Sequence, residues 1–164
     1  NKKKIPVYAD TLTSKYLKKS FNYCFQKNYD GYPPSLKLNT LKKNHNFKYD
    51  NKKISIRPIK IKHGSIDCMS YIINNKCAYA SDISHIYGSE IKHFLNLEYL
   101  VVDCFRIESH PSHFNLNDVL KLTKIIKPKK TFITNLNNEM DYKKLIKILP
   151  KNIKPAYDGL SFEI

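Results

Sequence analysis

A chain of 164 residues is long enough to form one domain and to bury about 70% of its unfolded surface, so its core needs no disulfide. No apolar run approaches the roughly 20 residues of a membrane-spanning helix, and the first residues, NKKKIPVYAD, lack the apolar segment of a secretion signal. The net charge of +15 favours polyanions, but all of the 29 basic residues except Arg57 and Arg106 are Lys. Specific nucleic-acid recognition prefers Arg, so we predict no specific nucleic-acid partner, no membrane partner, and only non-specific attraction to polyanions at low salt.

The four cysteines show no C-x-x-C spacing, and each lies among apolar or aromatic neighbours: Cys24, Cys68, Cys77 and Cys104. This pattern is typical of buried free thiols in a reducing compartment. It predicts a cytoplasmic protein.

In the first half of the chain, short β-branched or aromatic runs alternate with amphipathic ones. Asp30-Gly31 and Pro33-Pro34 interrupt this pattern and predict a loop over 26–35. The other predicted elements are a strand at IPVYA (5–9), a helix at SKYLKKSF capped by Thr11 or Thr13, a strand at SLKLN, turns at Asn44–Asn46 and Asn51, a strand over 54–64, and the strands MSYIIN and KCAYASD joined by a turn at Asn74-Asn75.

The second half alternates more regularly between helix and strand. The predicted elements are a helix over 89–95, a buried strand at LEYLVVDCF, a helix at NDVLKLTKIIK capped by Asn115 or Asn117 and stopped by Pro128, a strand at KTFITN, a helix at DYKKLIKIL ended by Pro150, and two short strands around the Asp158-Gly159 turn. This alternation indicates an α/β fold in layers, forming a single domain over 1–164.

Polar clusters follow four of the apolar strands, where functional side chains gather in such folds. They are His63-Gly64, Asp82, the HPSH segment (110–113) and the segment Asn135–Asn138. His nitrogen and carboxylate oxygen are ligands for Zn or Mn. The ordinary alternatives are a hydrogen-bonded histidine, a helix cap at Asp82 or Ser84, and Asn-rich turns. The pattern alone therefore indicates an α/β domain and leaves a metal site open.

A family resemblance is carried by several short sequence segments, taken together and in this order: VYADTLTSKYL, FNYCF, YPPSLKLN, KHGSI, YASDIS, HPSHFNL, TNLNNEMDY and PAYDGLSFE. They resemble the metallo-β-lactamase-fold hydrolases that are similar to the phosphoribosyl cyclic phosphate phosphodiesterase of phosphonate catabolism. The resemblance runs from about residue 5 to the end of the chain. It implies a metallo-β-lactamase-like αββα sandwich, two divalent metal ions (Zn or Mn) and hydrolysis of a small phosphodiester substrate.

The resemblance also implies roles for individual residues. His63 matches the metal-binding histidine of the family's HG motif, and Asp82 matches the aspartate that bridges the metals. His113 matches a histidine that is not a ligand and that stabilises the transition state or protonates the leaving oxygen. His110 is expected to shape its loop or to contact the substrate.

Two departures from the family pattern are visible. The family's principal ligand motif, H-x-H-x-D-H, belongs upstream of IPVYA and is missing here together with its strands, so we expect this chain to be the C-terminal two-thirds of the fold, with incompletely liganded metals. Asn135 and Asn137 stand where the family has at least one ligand histidine, and an amide oxygen is the weaker donor.

These observations support three hypotheses. The first is a metal-dependent phosphodiesterase with a binuclear site that activates water, of which the 164-residue chain alone is expected to be inactive. The alternative is a degenerate metallo-β-lactamase-fold binding or structural module without catalysis. The third is a polyanion binder that relies on the positive charge. The apolar strand edges are compatible with a homodimer.

Overall fold

The computed structural model describes residues 3–26 and 33–164, which belong to two compact units, 1–43 and 44–164. The single domain predicted over 1–164 stays a prediction. Most of the loop predicted over 26–35 lies outside the described residues. The first unit contains β1 (Ile5–Ala9), α1 (Thr11–Ser20), α2 (Asn22–Phe25) and β2 (Leu36–Thr40).

Within the first unit, β1 and β2 form a parallel pair in which Ile5 lies opposite Leu36. The N-terminus of α1 is capped by Asp10, whose carboxylate accepts hydrogen bonds from the backbone amides of Leu12 and Thr13. The expected Thr11 or Thr13 cap is therefore wrong. A carboxylate accepts two of the free amides at once and complements the positive end of the helix dipole, which a single hydroxyl cannot match.

The second unit is built around one eight-stranded mixed sheet. Its strands follow the order β10-β9-β8-β6-β5-β4-β3, and β7 pairs with β4. The elements are β3 (His45–Tyr49), β4 (Lys52–His63), β5 (Ile66–Ile73), β6 (Cys77–Ala80), β7 (His85–Ile86), a 3₁₀ helix (Ile91–Phe94), β8 (Tyr99–Asp103), α3 (Leu116–Ile126), β9 (Lys130–Thr134), α4 (Tyr142–Ile148) and β10 (Ile153–Pro155).

Five strands of this sheet run in the same direction. β6, β8, β9 and β10 are mutually parallel, and β4 shares their direction because β5 is antiparallel to both β4 and β6. The carboxyl ends of all five strands therefore lie along one edge of the sheet, which we call the carboxyl edge.

The core of the second unit is apolar and closely packed. Ile61, Leu100 and Val102 from the sheet and Phe94 from the 3₁₀ helix are fully buried. α3 contributes a stripe at helical spacing: Val119, Leu122, Thr123 and Ile126. Each buried side chain of this size contributes roughly 1.5–3 kcal/mol, so packing against the sheet stabilises α3 far more than helix propensity does.

Asn115 caps α3 in a capping box, in which its side chain accepts from the Asp118 amide and the Asp118 side chain accepts from the Asn115 amide. Of the two N-caps predicted for this helix, Asn115 and Asn117, the structure therefore shows Asn115. The C-cap of the helix is Lys127, whose backbone is left-handed. It directly precedes Pro128, the residue predicted to stop the helix. The strand and helix predictions over 97–149 are otherwise confirmed, as is the turn at Asn74-Asn75, where both residues have positive φ.

Three predictions are wrong in detail. Asn46 lies within β3, paired with Ser55, because the long β4 offers a partner that local sequence does not reveal. The helix predicted over 89–95 contracts to the 3₁₀ helix Ile91–Phe94. The tail contains one strand, β10, and residues 156–164 form no second one.

Across the described residues, no helix combines the length and the apolar character that crossing a membrane requires.

Candidate metal centre at the carboxyl edge

Polar side chains occur at or just after the ends of the strands along the carboxyl edge. His63 ends β4, Asp82 follows β6, Asp103 ends β8, and Asn135 follows β9. The order of strands in the sheet places them in that sequence along the edge. Convergence of this kind is the usual origin of sites in α/β folds.

Three of the predicted site residues come together at this edge. His63, Asp82 and His113 each offer a ligand atom, and these atoms all lie within 4.8 Å of one another. The rings of His63 and His113 are 4.6 Å apart between centroids. Two imidazoles and a carboxylate are a donor set that suits Zn or Mn, so the residues present fit a divalent ion.

The orientation of His63 is fixed by the loop that carries His113. Nδ1 of His63 donates to the backbone carbonyl of Ser112 at 2.7 Å, which places the proton on Nδ1 and leaves the lone pair of Nε2 free. A second hydrogen bond of this type is characteristic of histidines that bind metals, because it holds the ring and strengthens the ligand nitrogen.

His113 is held in the same way, but by a carboxylate. Its Nδ1 is 2.6 Å from Oδ2 of Asp103, a fully buried side chain. Burial raises the pKa of the Asp103 carboxyl, whereas hydrogen bonds from His113, from the Ile83 amide and from Asn135 act in the opposite direction. The hydrogen bond engages Nδ1 of His113 and leaves Nε2 as the ring nitrogen that can act in chemistry. The predicted role of His113 in phosphoryl chemistry stays a prediction.

Asp103 is not among the site residues predicted from the sequence. It lies near the end of the buried strand predicted at LEYLVVDCF. The same rule that selected Asp82, a carboxylate at the end of an apolar strand, would have found it.

Gly64 joins the loops around the cluster. Its φ is +60°, and a Cβ at this position would lie 2.9 Å from Cβ of Ser112. Its amide donates to Oγ of Ser84 at 2.9 Å. Glycine is therefore needed both for the backbone conformation and for the close approach of the His63 and His113 loops.

His110 lies beside His113 in the same loop, with 5.0 Å between their ring centroids. Its Nδ1 accepts from the Ser112 amide at 3.2 Å, so its Nε2 carries the proton in the neutral ring. Desolvation lowers the pKa of His110, and the nearby charge of Arg106 lowers it further. The prediction that His110 shapes the loop agrees with the Ser112 hydrogen bond, and its contact with substrate stays a prediction.

The two asparagines occupy different positions. Nδ2 of Asn135 donates to Oδ1 of Asp103 at 3.2 Å and lies 3.4 Å from Nδ1 of His113. The side chain of Asn137 instead accepts from the Glu139 amide at 3.1 Å and donates to the Glu139 carboxylate at 3.4 Å. Asn135 thus belongs to the support of His113, and Asn137 to its own turn. Metal ligation by either residue stays a prediction.

A family model described as a beta-lactamase superfamily domain matches residues 1–134. No curated protein matches the sequence.

Solved structures similar to this chain include a diphosphatase from the PhnP family, with 23% identity, a TM-score of 0.82, and coverage of 96% of this chain and 57% of that protein. The metallo-beta-lactamase fold protein YhfI from Bacillus subtilis has 17% identity and a TM-score of 0.70 over 94% of this chain and 63% of that one. Zn²⁺-bound PqqB from Methylobacterium extorquens has 14% identity and a TM-score of 0.71 over 100% and 66%.

These identities establish the fold alone, and the chain spans less than two-thirds of the first two proteins' lengths. The matched family model covers residues 1–134, which is most of the chain. The chain therefore has the α/β metallo-β-lactamase fold and belongs to the beta-lactamase superfamily.

Proposed function

We propose that this protein is a metal-dependent hydrolase that cleaves phosphodiesters at the carboxyl edge. The observation that carries the proposal is the cluster of His63, Asp82 and His113 within 4.8 Å, with Nδ1 of both imidazoles engaged by hydrogen bonds. The similarity to a diphosphatase of the PhnP family supports phosphoryl chemistry rather than another hydrolysis.

In this proposal, His63 and Asp82 would hold the divalent metal ions. A bound divalent ion supplies positive charge for the phosphoryl oxygens and lowers the pKa of water. These two ligating side chains leave room for further donors, and Asn135 and Asn137 are the weakest of the proposed ones because an amide oxygen is neutral.

His113 is the residue that we assign to the phosphoryl group or to the leaving oxygen. When water attacks, a bond forms between its oxygen and phosphorus, the ester P–O bond breaks, and the leaving oxygen gains a proton. Nε2 of His113 can donate that proton or hydrogen-bond a phosphoryl oxygen, because Asp103 stabilises the positive imidazolium. His110, with its Nε2 proton, is proposed to contact a phosphoryl oxygen.

The test combines metal content with turnover. The full-length protein, equilibrated with Zn²⁺ or Mn²⁺, is analysed for bound metal and assayed with bis(p-nitrophenyl) phosphate. We expect His63→Ala to lower the metal content and His113→Ala to lower turnover about 100-fold or more with the metal retained. His85→Ala, at an exposed position in β7, is the matched control and should change neither.

Unchanged turnover in His113→Ala contradicts the assigned role. Loss of metal in His113→Ala would instead make this residue a ligand, which its position in the cluster also permits.

A second candidate is a binding or structural module in which catalysis has decayed. Asn135 and Asn137 favour it, because they replace the stronger imidazole donors with amides that are hydrogen-bonded elsewhere. Stoichiometric metal together with phosphodiester turnover contradicts this alternative, and the absence of both supports it.

A further inference from the structure

An open cleft of about 560 Å³ lies at the β9 and β10 end of the carboxyl edge. Thr134 and Asn135 line it where β9 ends, and Tyr157 and Asp158 line it where the chain leaves β10. Tyr142, the first residue of α4, forms a further part of the wall. The hydrolytic role proposed above uses none of these residues except Asn135.

Two aromatic side chains dominate this cleft. The rings of Tyr142 and Tyr157 meet edge to face with 6.1 Å between centroids. Tyr157 is nevertheless 56% exposed, so most of its ring is available to a ligand. A turn holds it in place, because the Leu160 amide donates to the Tyr157 carbonyl and Gly159 adopts a φ of +91°.

The cleft is continuous with the metal centre through Asn135. This residue lines the cleft, and its Nδ2 lies 3.4 Å from Nδ1 of His113. Neighbouring strands are about 4.8 Å apart, so β10 lies roughly 10 Å from the end of β8, where Asp103 holds His113. A group of nucleoside length, attached to a phosphate at the cluster, would reach the two tyrosines.

The side chains of the cleft combine two kinds of contact. Tyrosine rings stack on planar heterocycles, whatever their exact identity. The exposed carboxylate of Asp158 accepts hydrogen bonds and carries a negative charge, which suits sugar hydroxyls and disfavours a second phosphate in this position.

From this arrangement we propose that the cleft binds the nucleoside part of a nucleotide substrate, with Tyr157 stacking on the base and Asp158 accepting from the ribose hydroxyls. The proposal rests on the phosphodiesterase function proposed above and names its substrate class. Specificity would come from the β9 and β10 end of the edge, and chemistry from the β4 and β6 end.

Two esters that share one leaving group test the proposal. Uridine 5′-(p-nitrophenyl phosphate) carries the nucleoside, methyl p-nitrophenyl phosphate lacks it, and both release p-nitrophenolate. We expect Tyr157→Ala to raise KM for the uridine ester about tenfold, as the loss of one stacking contact predicts, and to leave the methyl ester unchanged. Tyr157→Phe should keep most of the affinity because the ring remains. Asp158→Asn should raise KM for the uridine ester by a smaller factor.

The control is Tyr49→Ala, which removes a tyrosine that is 76% exposed on β3, at the other end of the sheet. It should affect neither ester. Equal changes for both esters in Tyr157→Ala, or no change for either, would overturn the proposal.

A binding measurement separates this proposal from the proposed activity. Uridine is uncharged, so non-specific attraction to the positive surface does not contribute, and saturation-transfer NMR detects its contact with the protein without turnover. The nucleoside subsite is supported if saturation transfer to uridine is abolished in Tyr157→Ala and retained in Tyr49→Ala. This holds even if neither ester is hydrolysed, in which case only the hydrolase proposal fails. No transfer at millimolar uridine contradicts the nucleoside subsite.

Discussion

The two ends of the carboxyl edge are built differently. At the β4 and β6 end, His63 and His113 are partly buried and their Nδ1 atoms are engaged by a backbone carbonyl and by the buried Asp103. At the β10 end, Tyr157 and Asp158 are exposed, and a turn and one aromatic contact hold them. Substitutions at the first end should therefore also lower the stability of the protein. Substitutions at the second end should cost little stability.

The largest effect is expected from Asp103→Asn. Asp103 accepts from His113 and Ile83 on Oδ2 and from Asn135 on Oδ1, so an amide NH₂ on either side would face a donor inside the core. We expect the free energy of unfolding to fall by about 2–4 kcal/mol, measured by urea denaturation.

The same substitution should change the imidazole. An asparagine has one amide oxygen, so Nδ1 of His113 keeps an acceptor in only one of the two amide orientations, and the nitrogen chemical shifts of the ring should report a mixture of tautomers. A variant that is as stable as the parent, with its Nδ1-protonated ring unchanged, would contradict the role of Asp103 as the support of His113.

The three described glycines form a graded series that tests the packing of the His63 loop on the His113 loop. Gly64→Ala meets both a positive φ and a contact of 2.9 Å with Cβ of Ser112, and we expect a loss of about 2–4 kcal/mol. Gly159→Ala meets only the positive φ and should lose about 1–2 kcal/mol. Gly88→Ala meets no atom within 4 Å and should be close to neutral.

Thermal and urea unfolding of the three variants measure this order. If Gly64→Ala cost no more than Gly159→Ala, the close packing of the His63 loop on the His113 loop would be wrong.

The helix that follows the His113 loop provides a smaller effect. Asn115→Ala removes the capping box of α3, and we expect a loss of about 1 kcal/mol in the free energy of unfolding. Asn117→Ala is the matched control because Asn117 is exposed within the helix, and it should be neutral or slightly stabilising. Equal losses in the two variants would contradict the cap assignment.

The sequence predicts much of the site, because its residues follow apolar strands and lie in segments that resemble those of a known family. His63, Asp82 and His113 were each selected in this way, and the structure brings them together. Asp103 also ends an apolar strand, so the same pattern marks it, but its role as the partner of His113 depends on a hydrogen bond to a residue in the following loop. Composition predicts burial of the LVVDC run but does not show which of its members faces a histidine.

The fold shows the same division between local and non-local information. The turn at Asn74-Asn75 follows from the conformational preferences of two residues and was predicted. The turn predicted at Asn44–Asn46, in a neighbourhood rich in asparagine, overlaps the start of β3, and only the pairing of Asn46 with Ser55 on β4 makes this segment a strand. Sheet edges of this kind are specified by a partner strand, so local propensity misjudges them.

The smallest effect is expected from Asp158→Asn, which makes the same chemical change as Asp103→Asn at the other end of the carboxyl edge. Asp158 is exposed and lies in a turn beyond β10, so replacing its carboxylate should alter the free energy of unfolding by less than about 0.5 kcal/mol. The two variants, unfolded in urea under the same conditions, isolate the effect of position from that of chemistry. A loss from Asp158→Asn as large as that from Asp103→Asn would mean that the cleft is part of the folding core, and that the two ends of the edge are not separable.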